Sequence, residues 1–154
     1  MKTVFSGIQP TGKVHLGNLL GAINNWVHLS NEENKNYFCV VDLHSLTTHP
    51  DPSLMQENIN ETIKVLASSG INQKNSNIYI QSNVPEHVQL SWILSNFCQI
   101  GELQRMTQFK EKADQLGSHA GILTYPVLMA ADILIHKANE VPAVSYTHLA
   151  LPTR

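Results

Sequence analysis

Short apolar runs that favour β-strands alternate along this chain with longer segments of helical periodicity. The runs are residues 3–6, 37–41 and 78–80. After the first run, large apolar side chains recur at helical spacing from Leu16 to Val27. Such alternation predicts a parallel sheet with right-handed crossovers, because parallel strands need a long connection that packs back on the sheet. The expected fold class is therefore α/β, a Rossmann-like parallel sheet flanked by helices.

Boundary residues place four further helices. Proline favours the first helical turn, and glycine favours the position just past the last one. The expected helices run from Asp51-Pro52 to just before Gly70, from residues 83–86 towards Phe97, over residues 102–116, and from Thr124-Tyr125-Pro126 to near Lys137.

The composition of the chain is that of a globular protein rather than a disordered or membrane-spanning one. With 154 residues, 42% of them hydrophobic and 14% charged, the chain has a globular composition. A net charge of −2 gives no overall attraction to nucleic acid, so any RNA contact must use a local patch. Cys39 and Cys98 match no zinc or redox spacing, which indicates a reducing interior. Residues 1–7 lack the apolar run of a signal peptide, and residues 126–135 are too short to span a bilayer. We expect a soluble, cytoplasmic protein that does not bind a membrane.

The loop between the first strand and the first helix has the spacing of a phosphate site. Residues 7–13 read G-x-x-x-x-G-K, which is nearly the motif of a P-loop NTPase. Position 14 is Val14, however, where that motif needs a hydroxyl for Mg²⁺, and Pro10 removes one backbone amide from the loop. The P-loop NTPase stays open as an alternative.

The start of the following helix offers a second way to bind a nucleotide. Helix N-terminal amides attract phosphate, and His15 and Thr11 can add donors there. Gly17 lacks a Cβ, so a flat base can approach the backbone closely, and Asn18 supplies an amide. The alternative is purely structural: His15 and Asn18 cap a surface helix, and Gly17 permits close packing.

A carboxylate lies among apolar residues in the last predicted helix. Tyr125, Met129, Asp132 and His136 follow one another at i, i+4, i+7 and i+11, on one helix face. An unpaired carboxylate is costly to bury. Asp132 therefore needs a donor, either from a ligand or from a backbone amide or Arg105.

Histidine follows the second predicted strand at the sheet edge that holds ligands in open α/β proteins. His44 lies there, two residues after Asp42, and either lines a substrate site or binds a metal together with Asp42 and His49. We expect no metal site, because such groupings are common by chance. His28, His87 and His119 are given no functional role.

Three blocks of the sequence resemble tryptophanyl-tRNA synthetases, which are class I aminoacyl-tRNA synthetases. The first joins residues 5–12 to His15-Leu16-Gly17-Asn18, similar to the class I His-Ile-Gly-His motif with Asn18 in the last place. Residues 101–110 and 124–134 resemble two further stretches of that family, in the same order. The resemblance covers residues 1–143.

The resemblance implies a tryptophan–tRNA ligase, which joins L-tryptophan to ATP as an adenylate and then transfers it to tRNA(Trp). Asp132 would accept the indole N–H, and a ligand without that donor would leave the acid unsatisfied. The implied homodimer joins through residues 101–110, and ATP brings its own Mg²⁺. The implied tryptophan-binding residues are Asp132, Met129, Tyr125, Phe5 and His44; those that align ATP and stabilise charge in the reaction are His15, Asn18, Gln9 and Thr11; and ATP is bound by Gln9, Pro10, Thr11, Gly17, Asn18 and Lys112.

The resemblance ends at residue 143. The family continues Gly-Glu-Asp-Gln, whereas residues 144–154 depart from it, and the second phosphate motif Lys-Met-Ser-Lys-Ser is absent. Either foreign sequence replaces the rest of the protein or the chain is a degraded paralogue. We expect this chain alone to be inactive as a ligase, and a non-catalytic fragment that binds a nucleotide or a partner stays open. A tyrosyl-tRNA synthetase is a further alternative, because a phenol can also donate to Asp132.

Overall fold

A three-stranded parallel sheet forms the centre of the protein, of which the computed structural model describes residues 1–10, 12 and 23–142. The strands are β1 (Thr3–Ile8), β2 (Lys35–Val40) and β3 (Ser76–Ile80), in the order β1-β2-β3. On the outer side of β1, Val4 makes an isolated parallel bridge to Glu140. The parallel α/β architecture that the sequence predicts is confirmed.

Seven α-helices and two 3₁₀ turns lie in the described part of the chain. None of these helices combines the length and apolar character that a bilayer crossing requires. The α-helices are α1 (Asn24–Ser30), α2 (Asp42–Ser45), α3 (Pro52–Ser68), α4 (Glu86–Ser95), α5 (Ile100–Arg105), α6 (Thr107–Leu116) and α7 (Ala120–Ile135), and the 3₁₀ turns are Leu46–Thr48 and Gln81–Asn83.

Helix α3 has the boundaries that its terminal residues predict. The side chain of Asp51 accepts a hydrogen bond from the backbone N–H of Ser53, and Pro52 occupies the first turn. Past the last turn, Gly70 has φ +89°, a left-handed conformation that glycine adopts without strain.

Two helix predictions are wrong in their boundaries. The helix expected over residues 102–116 is divided into α5 and α6 at Met106, whose ψ of 130° is extended. Helix α7 begins at Ala120 rather than at Thr124, so Pro126 lies inside it. Proline favours the first turn only as a local preference. Here the burial of Ile122, Pro126 and neighbouring side chains of α7 outweighs it.

The two faces of the sheet pack against different helices, because successive side chains of a strand point to opposite faces. On one face, Phe38 of β2 stacks on Trp26 of α1 with 4.5 Å between ring centroids, and Leu66 of α3 joins the same core. On the other face, Phe5 and Cys39 pack against Ile133 of α7. Helix α7 therefore covers the face opposite α1 and α3.

The carboxyl ends of all three strands meet at one edge of the sheet. Gln9 follows β1, Val41 and Asp42 follow β2, and Gln81 follows β3. Because the strands are parallel and in register, the polar side chains after them are brought close together. Helix α7 brings Asp132 to the same place.

Candidate functional site

A pocket of about 350 Å³ lies between this edge of the sheet and α7. Its volume is at the lower end of the range for small-molecule sites. Seven of the residues that the sequence analysis assigns to substrates line it together, although they come from positions far apart in the chain. They are Phe5, Gln9, His44, Lys112, Tyr125, Met129 and Asp132. A larger cavity of about 590 Å³ follows the outer edge of β3 and contains none of the assigned residues.

The walls of the pocket are mainly apolar. Phe5, Met129 and Ile133 line it, and Val41 adjoins Gly7. A Cβ atom added to Gly7 would lie 2.8 Å from Cγ1 of Val41. Because real Cβ atoms do not approach that closely, glycine at this position allows β1 and the end of β2 to meet at the wall of the pocket.

Lys112 carries the one cationic side chain of the pocket wall as described. Its Nζ lies 4.2 Å from the ring centroid of Tyr125, which is a cation–π geometry. Partial burial lowers the pKa of the Lys112 ammonium from its ordinary value. The amine therefore lies beside the aromatic wall, where an anionic group of a ligand would be attracted to it.

Asp132 is almost fully buried, with 1% of its surface exposed, and it has three side-chain partners. Nε2 of His44 lies 2.8 Å from Oδ2, and Nδ1 of His87 lies 2.7 Å from Oδ1. Gln81 Nε2 donates to both oxygens, at 2.9 and 3.0 Å. The protein donors to Asp132 are therefore His44, His87 and Gln81, rather than the backbone amide or Arg105 that the sequence offered as the structural alternative. Charged carboxylates are buried where hydrogen bonds compensate for lost water.

The hydrogen bonds also determine the charge of Asp132. Burial by itself raises the pKa of the carboxyl, since a charge is disfavoured away from water. The hydrogen bonds from His44, His87 and Gln81 favour the charged form, and the net pKa lies below the ordinary value. An ionised carboxylate is an acceptor only. Both histidines must therefore hold a proton on the nitrogen that faces it.

A second layer of side chains lies behind His87. The hydroxyl of Tyr79 lies 3.2 Å from Nε2 of His87 and 2.6 Å from Nε2 of His136. The His136 ring stacks on Tyr37 with 4.2 Å between centroids. Partial burial, followed by the nearby His87, lowers the pKa of His136 to about 4. His136 is therefore neutral at physiological pH.

The metal alternative gains no support from the geometry. Oδ1 of Asp42 accepts a hydrogen bond from the backbone N–H of Ser82, while His44 is held by Asp132. His49 lies instead against His119, with 4.7 Å between ring centroids. No group of three or more His, Cys, Asp or Glu side chains suited to a metal ion is found within residues 1–10, 12 and 23–142.

Part of the predicted nucleotide site lies outside the described residues. Of that site, Gln9, the buried Pro10 and Lys112 are described. The tail over residues 144–154 is likewise outside the described residues. The other residues discussed for this site, together with those of the P-loop alternative, are also outside the described residues: Thr11, Lys13, Val14, His15, Gly17 and Asn18.

The sequence analysis identified neither Gln81 and His87 as hydrogen-bond partners of Asp132 nor Tyr79 as the partner of His87. One signal could have found Gln81: it follows β3 directly, at the edge where Asp42 and His44 follow β2. No comparable signal marks His87. It lies within α4, and only the packing of α4 on α7 brings it to the carboxylate.

Comparison with protein families decides the classification of this fold and pocket. The model for "tRNA synthetases class I (W and Y)" matches residues 1–144, nearly the whole chain. The chain belongs to this family. Its Rossmann-like sheet is therefore that of a class I synthetase catalytic domain.

The curated proteins to which this chain is similar include tryptophan–tRNA ligases of bacteria. The enzyme of Clostridium tetani is 46% identical over 143 residues, and that of Helicobacter pylori is 47% identical. Each match covers 92% of this chain but only 42% and 44% of the relative. The chain thus spans less than half the length of these curated relatives.

The chain is also similar to solved structures of tryptophanyl-tRNA synthetases. The tryptophanyl-tRNA synthetase of Mycoplasma pneumoniae has a TM-score of 0.84 and 38% identity, over 93% of this chain and 42% of that one. The Campylobacter jejuni enzyme, solved with ADP and tryptophan, has a TM-score of 0.84 and 35% identity, over 90% of this chain and 44% of that one. A tyrosyl-tRNA synthetase from Archaeoglobus fulgidus shares the fold, with a TM-score of 0.71 and 15% identity.

The lowered pKa of His136 makes the stability of this family member depend on pH. Unfolded histidine takes up a proton near pH 6.5, whereas folded His136 does so only near pH 4. Between these values the unfolded state holds more protons than the folded state. The contribution of His136 to the free energy of unfolding is therefore fully present above pH 6.5, and it should be lost progressively as the pH is lowered towards 4. We expect His136→Gln to weaken this dependence.

The measurement is urea denaturation at pH 7.5 and 5.0 of a full-length chimaera, in which residues 1–143 are joined to the remaining part of the Clostridium tetani relative. His28→Gln is the control, because His28 is largely exposed in an ion pair with Glu32. An equal loss of stability on acidification in both variants would contradict the assignment.

Proposed function

We propose that the protein to which this chain belongs activates L-tryptophan with ATP and transfers it to tRNA(Trp). The observation that carries the proposal is the buried, ionised carboxylate of Asp132 at the wall of an apolar pocket. An indole has one N–H donor and a large apolar surface, and this combination of acceptor and apolar wall suits it. The names of the bacterial relatives support the same substrate.

In the proposed complex the indole lies between Phe5 and Met129 and donates its N–H to Asp132. The ammonium and carboxylate of the amino acid lie towards Tyr125 and Gln9, which line the same pocket. The carboxylate of tryptophan then attacks the α-phosphate of ATP, and pyrophosphate leaves with the bond pair. The substrate itself is the nucleophile, so the protein only aligns the reactants and stabilises charge.

The proposed ATP site adjoins the tryptophan pocket. Gln9 and Lys112 line the described pocket, and in this proposal they contact the substrates where the amino acid meets ATP. His15, Asn18 and Thr11 complete the site at the helix that follows β1. The Campylobacter relative, whose solved structure contains ADP and tryptophan, supports the proposal that one protein binds both ligands. Mg²⁺ arrives with ATP.

We further propose that the full-length protein is a homodimer. Helix α4 and the residues after it expose several large apolar side chains, and monomeric proteins rarely expose a patch of this kind. The patch immediately precedes residues 101–110, to which the sequence resemblance assigns the dimer contact. Its members are Val88, Trp92, Ile93, Phe97 and Ile100, each at least half exposed.

The first of three predictions from this proposal concerns the nucleotide. In the chimaera, His15→Ala or Asn18→Ala should slow tryptophan-dependent pyrophosphate exchange by roughly a hundredfold, as for the loss of one transition-state donor. Lys13→Ala is the matched control and should change the rate little, because Lys13 acts on phosphate only in a P-loop. A collapse with Lys13→Ala and normal exchange with His15→Ala would favour the NTPase instead.

The second prediction concerns the indole N–H. Asp132→Ala should weaken tryptophan binding by about 1–3 kcal/mol, the cost of losing a hydrogen bond to a charged group. Isothermal titration calorimetry with tryptophan and 1-methyltryptophan measures it. The unmutated chimaera should bind tryptophan more tightly, and Asp132→Ala should remove most of that difference. Equal affinities in the unmutated chimaera would exclude Asp132 as the indole acceptor.

The third prediction concerns the dimer. Trp92→Glu places a charge in the apolar patch and should raise the dimer dissociation constant at least tenfold, measured by sedimentation velocity. Leu54→Glu is the control, since Leu54 is 49% exposed on α3, away from the patch. A chimaera that sediments as a monomer without any substitution would contradict the homodimer.

A further inference from the structure

The two oxygens of the Asp132 carboxylate have different surroundings. Oδ1 is bound by His87 and Gln81, which are both fully buried and do not line the pocket. Oδ2 is bound by His44, which lines the pocket wall, and by the same Gln81 amide. Oδ1 therefore faces the buried side chains behind the pocket, whereas Oδ2 lies next to the pocket wall.

The Oδ1 side continues into the chain of hydrogen bonds that starts at His87. Nδ1 of His87 must carry a proton, because it lies 2.7 Å from a carboxylate oxygen. Nε2 on the opposite side of the ring then meets the hydroxyl of Tyr79 at 3.2 Å. Since the His87 ring is fully buried, Tyr79 is the partner that satisfies this nitrogen within the described residues.

The side-chain amide of Gln81 also donates its hydrogen bonds to the carboxylate. Its Nε2 donates to both oxygens of Asp132, whereas its buried Oε1 has no hydrogen-bond partner among the described residues. An unsatisfied buried carbonyl is costly, and native proteins keep few of them. The amide therefore keeps an orientation that serves Asp132 rather than its own carbonyl.

We propose that His87, held by Tyr79, is a positioning residue that fixes Asp132 through Oδ1, so that Oδ2 is presented to the indole N–H of the substrate. This inference rests on the proposed tryptophan function and adds residues that do not touch the ligand. His87 acts through Asp132 and therefore affects only ligands that donate to the carboxylate. A residue needed merely for packing would affect every ligand of the pocket.

The test compares tryptophan with an analogue in which sulfur replaces the indole N–H, so that shape is kept and the donor is lost. Both dissociation constants are measured by calorimetry on the full-length chimaera and its variants, and their ratio is the preference for the donor. His87→Leu should reduce this preference about tenfold, which corresponds to about 1.4 kcal/mol. His87→Asn should keep it within about threefold, because the Asn amide nitrogen occupies the position of Nδ1. Tyr79→Phe should reduce it several-fold with the ring retained.

The outcomes separate this inference from the proposed function. If the unmutated chimaera shows no preference for tryptophan over the sulfur analogue, the indole assignment of Asp132 fails. If it shows a preference that Asp132→Ala removes but His87→Leu and Tyr79→Phe both leave unchanged, the positioning role is overturned. An equal loss in His87→Asn and His87→Leu also overturns it, because the Nδ1 donor is then not what matters. Thermal melts identify a variant that fails to fold, and the remaining two variants then decide.

Discussion

The burial of one carboxylate determines how the site is built. A charged Asp132 with 1% exposure would be strongly disfavoured without donors, and its partners come from three separate segments. His44 follows β2, Gln81 follows β3, and His87 belongs to α4, while Asp132 itself is on α7. The contacts therefore require the sheet edge, α4 and α7 to be assembled together. In this way the requirement for a charged acceptor links the fold to the pocket.

Much of the fold could be predicted from local signals. Apolar runs and helical spacing indicated the parallel sheet, and Asp51-Pro52 and Gly70 marked the ends of α3. Of the four residues that the spacing places on one helix face, Tyr125, Met129 and Asp132 line one pocket, whereas His136 lies outside that pocket and stacks on Tyr37. These predictions succeeded because each depends on residues that are close in sequence.

The remaining features depend on contacts between distant residues. The backbone between α5 and α6 becomes extended at Met106, where no glycine or proline marks a break. His87 reaches Asp132 only because α4 packs on α7, and single-residue reasoning gave it no role. The sequence predicts only that Tyr79 lies in a strand. Its hydroxyl contacts His87 and His136 because β3, α4 and α7 pack together, and no local signal indicates that packing.

The central claim is that Asp132 is an ionised acceptor inside the pocket before any ligand arrives, and the most direct test is the titration of its carboxyl group. In the full-length chimaera labelled with ¹³C at the aspartate carboxyl, Asp132→Asn identifies the resonance. We expect the carboxyl to stay ionised near neutral pH and to titrate with a midpoint below the ordinary 3.8, because the hydrogen bonds from His44, His87 and Gln81 lower its pKa. A titration midpoint at or above 3.8 would show that burial outweighs the hydrogen bonds, and it would contradict the account.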